Sequence, residues 1–202
     1  MVITDIKSQK TKDRVNIFTD GKFFCGALAE TVLQFGLKVG DEISEEELDN
    51  LLISSESRYA FDKAIDYISR RLHSEKEIRS KLKLKGYRPV VINKAIEKLK
   101  EYNYISDENF ASVLVQSSKN KSKREIEYTL QQKGVSADLI NKYISVISDD
   151  DELLSAETLA VKHMRGKETN EKNLNNLYAY LSRKGFSGDV VKIVLYKFKE
   201  KD

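Results

Sequence analysis

The chain has 202 residues, of which 40% are apolar and 33% charged, with nine glycines, one proline and a net charge of +3. So few backbone breakers exclude a turn-rich β-sandwich or barrel and a linker-dominated chain, while the wealth of Lys, Glu, Leu and Ile favours helices. The single cysteine, Cys25, excludes an internal disulfide framework and suits a reducing compartment.

The chain opens with strands. Arg14-Val-Asn-Ile-Phe-Thr alternates, with Val15 and Ile17 on one side. Asp20-Gly21 is a two-residue hairpin signal, because a type I′ turn needs positive φ at both central positions. Lys22-Phe-Phe-Cys-Gly forms the return strand, and the alternation over Val2 to Lys7 allows a third. Ala27 to Phe35 reads as a short helix ended by Gly36. Ser44-Glu-Glu-Glu47 is a capping box that starts another helix. The first residues lack the apolar run of a secretory leader, and no stretch nears the roughly 20 apolar residues of a membrane span, so a soluble cytoplasmic protein without membrane contact is expected.

From about residue 56 the reading is helical, and the pattern repeats. Leu82-Lys-Leu-Lys-Gly86-Tyr87, Leu130-Gln-Gln-Lys-Gly134-Val135 and Leu181-Ser-Arg-Lys-Gly185-Phe186 share one form. Aligned on glycine, Ile78, Ile126 and Leu177 coincide upstream. Ile92, Ile140 and Val191 coincide downstream, followed by Ile96, Ile144 and Leu195, then Leu99, Ile147 and Phe198. These are helix-face spacings, and each glycine stands where a helix ends in a left-handed residue. A further helix precedes each pair. The first runs from about Arg58 to Leu72, the second carries Phe110, Val113 and Leu114, and the third follows the acidic run Asp149-Asp-Asp-Glu152, read as a solvated cap. Ser74-Glu-Lys-Glu77 and Ser122-Lys-Arg-Glu125 are capping boxes at matching offsets. The expected fold is mainly α. A hairpin-containing segment over 1–55 precedes three-helix repeats over 56–103, 104–148 and 149–202, forming an elongated curved stack.

Charge is uneven. Residues 56–100 hold thirteen basic and six acidic residues, whereas residues 1–55 are net acidic and the rest is balanced. A basic patch attracts polyanions by releasing their counterions. Lys76, Arg79 and Lys83 fall on one arc of the helix, away from Ile78 and Leu82. The same offsets hold Arg124, Glu127 and Gln131 in the second copy and Asn175, Tyr178 and Ser182 in the third, so the stripe belongs to the first repeat. Arg70, Arg71, Lys76, Arg79, Lys81, Lys83 and Lys85 are the candidate contact residues. The blander reading is a solvated lysine surface.

Tyr67-Ile-Ser-Arg-Arg-Leu-His-Ser-Glu-Lys-Glu-Ile-Arg-Ser-Lys-Leu82, followed by Lys85-Gly86-Tyr87, resembles the signature of the bacterial regulatory protein RecX family. Tyr104-Ile-Ser-Asp-Glu-Asn-Phe-Ala111 is similar to that family's second signature, and Leu130-x-x-Lys-Gly-Val-Ser with Ile140 to its third. The resemblance covers about residues 58 to 200. It implies three-helix repeats and binding to the RecA recombinase filament on DNA, with restraint of its ATPase and strand exchange in DNA repair, recombination and the SOS response. It also implies direct contact with single-stranded or double-stranded DNA in some members. His73 stands where the family often has Arg.

Catalytic constellations are missing. His73 and His163 lack metal-ligand companions at helical spacing, and no Gly-x-x-x-x-Gly-Lys loop occurs. Cys25 reads as a half-buried strand residue, and Tyr59, Tyr67, Tyr87 and Tyr143 as core or half-buried. A monomeric, non-enzymatic RecA regulator without a cofactor is expected. The alternative is a stand-alone helical DNA-binding transcriptional regulator, because glycine-turn helix pairs resemble helix-turn-helix modules.

Overall fold

The structure is a computed structural model that describes residues 1–10 and 13–200. The fold is mainly helical with a small N-terminal sheet, and it packs as two compact units, one from Met1 to Ile105 and one beginning at Ser106.

In the first unit, β1 (Ile3–Ser8), β2 (Arg14–Thr19) and β3 (Lys22–Leu28) form an antiparallel sheet in the order β1-β2-β3. Asp20 and Gly21 both take positive φ, 49° and 77°, as the two-residue turn requires. Helix α1 (Ala29–Gln34) starts two residues later than the sequence suggests, because Ala27 and Leu28 complete the ladder opposite Val15 and Arg14.

Helix α2 (Glu45–Ile68) corrects the sequence reading. It is one 24-residue helix, where two were expected with a boundary after residue 55. No glycine or proline interrupts it, and its two halves serve two cores. Leu48 and Leu52 pack beneath the sheet with Ile3, Ile17 and Ala27. Ala60 and Ala64 pack with Ile78 and Leu82 of α3 (Glu75–Leu84) and with Ile92, Ile96 and Leu99 of α4 (Pro89–Glu101). The helix also ends at Ile68, short of Leu72, because Ser69 caps it and Ser74 begins the next.

The second unit contains α5 (Asp107–Ser117), α6 (Lys123–Gln132), α7 (Ala137–Ile144), α8 (Asp149–Met164), α9 (Glu171–Arg183) and α10 (Gly188–Lys199). Helices α5, α6 and α7 pack on one another, as do α8, α9 and α10. The three glycine turns are one motif. Gly86, Gly134 and Gly185 have φ of 83°, 80° and 89°. In each, the N–H two residues past the cap returns to the leucine carbonyl, as from Tyr87 to Leu82, Val135 to Leu130 and Phe186 to Leu181. This double-bonded ending needs a left-handed residue, which glycine supplies without a Cβ clash.

Several finer expectations change. Helix α7 stops at Ile144, so Ile147 lies beyond it, in the turn leading to the Ser148 cap of α8. Val113 is 43% exposed, while α5 buries Phe110, as expected, together with Ala111. Ser122 accepts from the Glu125 N–H, but the return bond of a full box is missing, since Glu125 turns to Lys121. The third copy is capped by Asn170, which accepts from the Asn173 N–H. Within the acidic run, Asp149 is solvated but Glu152 is buried and accepts the Lys123 N–H at 3.1 Å. Cys25 is more than half-buried, and loss of water pushes its thiol up to about 11, so it is protonated at neutral pH.

His73 sits immediately before the Ser74 cap. It is buried, with Nδ1 2.8 Å from the Arg71 carbonyl oxygen. Burial holds its pKa below the ordinary imidazole value of 6.5. The unfolded chain therefore takes up a proton that the folded chain resists, and stability falls as pH drops through that value. Between pH 7 and pH 5 the melting temperature should fall, and His73→Gln should show a smaller fall. Identical slopes for the two proteins would remove His73 from the account.

Candidate functional site

The basic segment centres on α3. Its buried line, Ile78 and Leu82, faces α2 and α4. At about 100° per residue, Lys76, Arg79 and Lys83 span about 60° on one flank, whereas Lys81 and Lys85 fall on the other side of the buried line. The contacts agree. Arg79 donates from Nε to Glu75 Oε1 at 2.6 Å and from Nη1 to Asn93 Oδ1 of α4 at 2.7 Å. Lys81 Nζ instead stands 4.8 Å from the centre of the Tyr67 ring on α2. The seven candidates therefore do not share one arc of the helix.

Their states also differ. Arg71 closes the loop before α3, donating to both carboxylate oxygens of Glu77 and to the Leu72 carbonyl. Lys76 is exposed. Arg70, Lys83 and Lys85 are exposed and make no side-chain hydrogen bond or ion pair among the described residues. Glu75 serves Arg79 and also Lys100 at 2.6 Å. Burial raises its pKa, but these two partners outweigh burial and hold it below the ordinary carboxylate value. One carboxylate thus serves two cations, and the group of Glu75, Arg79 and Lys100 keeps a net positive charge.

Two features escape a linear reading. Phe61 of α2 meets Tyr102 and Tyr104 at ring-centre distances of 6.0 and 6.3 Å, and Lys98 Nζ lies 5.0 Å from the Phe61 centre. Tyr102 and Tyr104 are about half exposed. The only local signal was Lys98 four residues before Tyr102; Phe61 is forty-one residues away.

The second feature is a buried charge cluster. Glu56 of α2 is fully buried and accepts the Leu28 N–H at 3.1 Å. Arg14 Nη2 and Arg88 Nε each lie 3.8 Å from its carboxylate, and Arg88 Nη1 donates to Asp49 at 2.6 Å. Burial raises the Glu56 pKa against the pull of both guanidinium groups. The cluster fastens the sheet, through β2 and β3, to the helix that enters the three-helix core.

Among the described residues no group of three or more His, Cys, Asp and Glu converges as a metal site, and no helix is long and apolar enough to cross a membrane. What the arrangement offers is a cationic, aromatic-flanked surface.

Known proteins match along most of the chain. The family model described as RecX, first three-helix domain, matches residues 60–99, and that of the regulatory protein RecX N-terminal domain matches residues 1–44. The chain is 38% identical over 199 residues to "Regulatory protein RecX" of Clostridium botulinum (strain Eklund 17B / Type B), covering 96% of this chain and 94% of that one. It is 36% identical to the protein of the same name from Clostridioides difficile (strain 630), covering 97% and 95%. A solved structure titled "Crystal structure of regulatory protein RecX" superposes with a TM-score of 0.65 at 25% identity, covering 96% of this chain and 98% of that chain.

Proposed function

The chain belongs to the regulatory protein RecX family, and from that premise we propose that it is a non-enzymatic cytoplasmic regulator that binds the RecA filament on DNA and restrains its ATPase and strand exchange. The observation that carries this reading is the near full-length match to relatives named "Regulatory protein RecX". In this reading 56–103, which begins partway along α2, 104–148 and 149–202 act as three-helix repeats behind the N-terminal segment. Lys76, Arg79 and Lys83 face phosphates or acidic side chains of the filament. The flank's positive charge supports that assignment, because the helix core does not require it.

The test is RecA's single-strand-dependent ATP hydrolysis, titrated with this protein. Hydrolysis should fall, and an unchanged rate up to excess protein would sink the reading in favour of a stand-alone DNA-binding regulator. The variant with Lys76→Glu, Arg79→Glu and Lys83→Glu should keep its helical circular dichroism and inhibit less. If these side chains meet phosphates on single strands, the salt dependence of binding should also fall, by roughly 0.7 per lost contact. If they meet RecA carboxylates, binding to bare DNA survives while inhibition is lost. Wild-type behaviour in both assays returns them to a solvated surface.

A further inference from the structure

A second cationic surface lies in the other unit, where the turn after α9 packs on the start of α6. Ser122 donates its hydroxyl to the Lys184 carbonyl at 2.7 Å. A Cβ on Gly185 would stand 2.8 Å from Ser122 Oγ and 3.4 Å from Arg124 Cβ, so only glycine permits this approach. The contact forms a shallow cleft, with Arg124 and Tyr128 on one wall and Ser182, Arg183 and Lys184 on the other. Arg124 and Tyr128 are four residues apart on α6 and share a face.

The chemistry of this cleft is unusual for an ordinary surface. Arg124, Arg183 and Lys184 are exposed, and none makes a side-chain hydrogen bond or ion pair among the described residues. Two carboxylates lie nearby. Glu125, in the cleft, is turned to Lys121 at 3.6 Å, and Glu127 accepts from Gln131 Nε2 at 3.2 Å. Tyr128 is 62% exposed, and its ring meets no other ring or cation among the described residues. Unpaired guanidinium groups suit phosphodiesters, which they meet in a planar fork. An open aromatic face beside them suits a nucleobase, because every base has a π-face to stack. An acidic protein surface would use the cations and leave the ring without a purpose.

We propose that this cleft binds single-stranded nucleic acid, with one base stacked on Tyr128 and the flanking phosphates held by Arg124, Arg183 and Lys184. The inference rests on the reading above only for the presence of single strands beside the protein's partner, and it concerns a surface separate from α3.

The experiment measures fluorescence anisotropy of a labelled oligothymidylate with the full chain and no RecA. Tyr128→Ala should weaken binding by about tenfold, the loss of one stacked base, while Tyr128→Phe keeps the ring face and stays near wild type. On an abasic strand of equal length, Tyr128→Ala and wild type should bind alike. Arg183→Glu, on an exposed and unpaired side chain, should weaken binding to both strands and lower the salt slope; it tests the site even where the tyrosine variant folds poorly. Wild-type affinity of Tyr128→Ala and Arg183→Glu for oligothymidylate overturns the proposal. So does an equal loss by Tyr128→Ala on the abasic strand, or retention of strand binding with loss of RecA inhibition, which would make the cleft a protein contact. If the wild-type chain binds no strand at all, the cleft proposal falls while the RecA reading stands on its own ATPase titration.

Discussion

Leu82→Ala, Leu130→Ala and Leu181→Ala should each lower unfolding stability by about 2–5 kcal/mol, because each removes methyl groups from a closed site and leaves a cavity that neighbours fill only in part. All three leucines have 0% exposure. Leu82 packs among Ala60, Ala64, Ile78, Ile92 and Ile96, and Leu181 among Ala156, Ala160, Leu177 and Val194. Each leucine carbonyl also accepts the bond that closes the glycine turn, so the backbone around the cavity is pinned and cannot collapse freely. Lys76→Ala and Tyr178→Ala, on exposed positions of α3 and α9, should cost under about 1 kcal/mol. Urea titrations of the five variants decide the matter. Leucine variants with wild-type midpoints would mean that the helix phase is wrong.

Glu56→Ala should cost about 3–5 kcal/mol, as much as the worst of the leucine changes, because it strands the Arg14 guanidinium in a closed space. Arg14 is 7% exposed and loses the one carboxylate it meets among the described residues, while Arg88 keeps Asp49. The Leu28 N–H, at the end of β3, loses its acceptor as well. The loss should come from the stranded charge rather than from the missing pair. The double variant Arg14→Leu with Glu56→Leu, which removes both charges and keeps apolar volume, should therefore recover most of it. Equal destabilisation of the single and double variants, read from the same urea titrations, would assign the effect to packing alone.

The lesson of these two sites differs. Leu82, Leu130 and Leu181 were legible as equivalent core positions because helix periodicity and a glycine turn are local properties, written within about twenty residues. The same logic recovered the hairpin at Asp20-Gly21, the full capping boxes at Ser44 and Ser74, and the mainly helical class. Local signals also misled where a neighbour intervened. Ser122 looked like a full box, but Glu125 is drawn to Lys121. Glu152 looked like part of a solvated acidic run, but the free N–H of Lys123 claims it. Arg58 to Leu72 looked like a separate helix only because two apolar faces, one for the sheet and one for the helical core, follow each other along one uninterrupted α2.

The sequence by itself determined what short-range sterics and periodicity can encode: that the chain after the hairpin is helical, that three helices stop at Gly86, Gly134 and Gly185, that the leucines before those glycines turn inward, and that positive charge gathers after residue 56. Only the tertiary structure decided which charges remain available. Arg14, Glu56 and Arg88 are spread over seventy-five positions, yet they meet in one cluster that withdraws Arg14 and Glu56 from the outer surface. Arg79 and Lys81, which the helix phase puts on opposite flanks of α3, are taken up by different neighbours, Asn93 of α4 and the Tyr67 ring of α2. Arg124 and Arg183, fifty-nine residues apart, are brought to one cleft because Gly185 lets the turn after α9 approach α6. The reason is physical. A helix phase depends on its own residues, whereas the field at a surface point is the sum over every charge that folding brings near it, and burial sets how strongly each one counts.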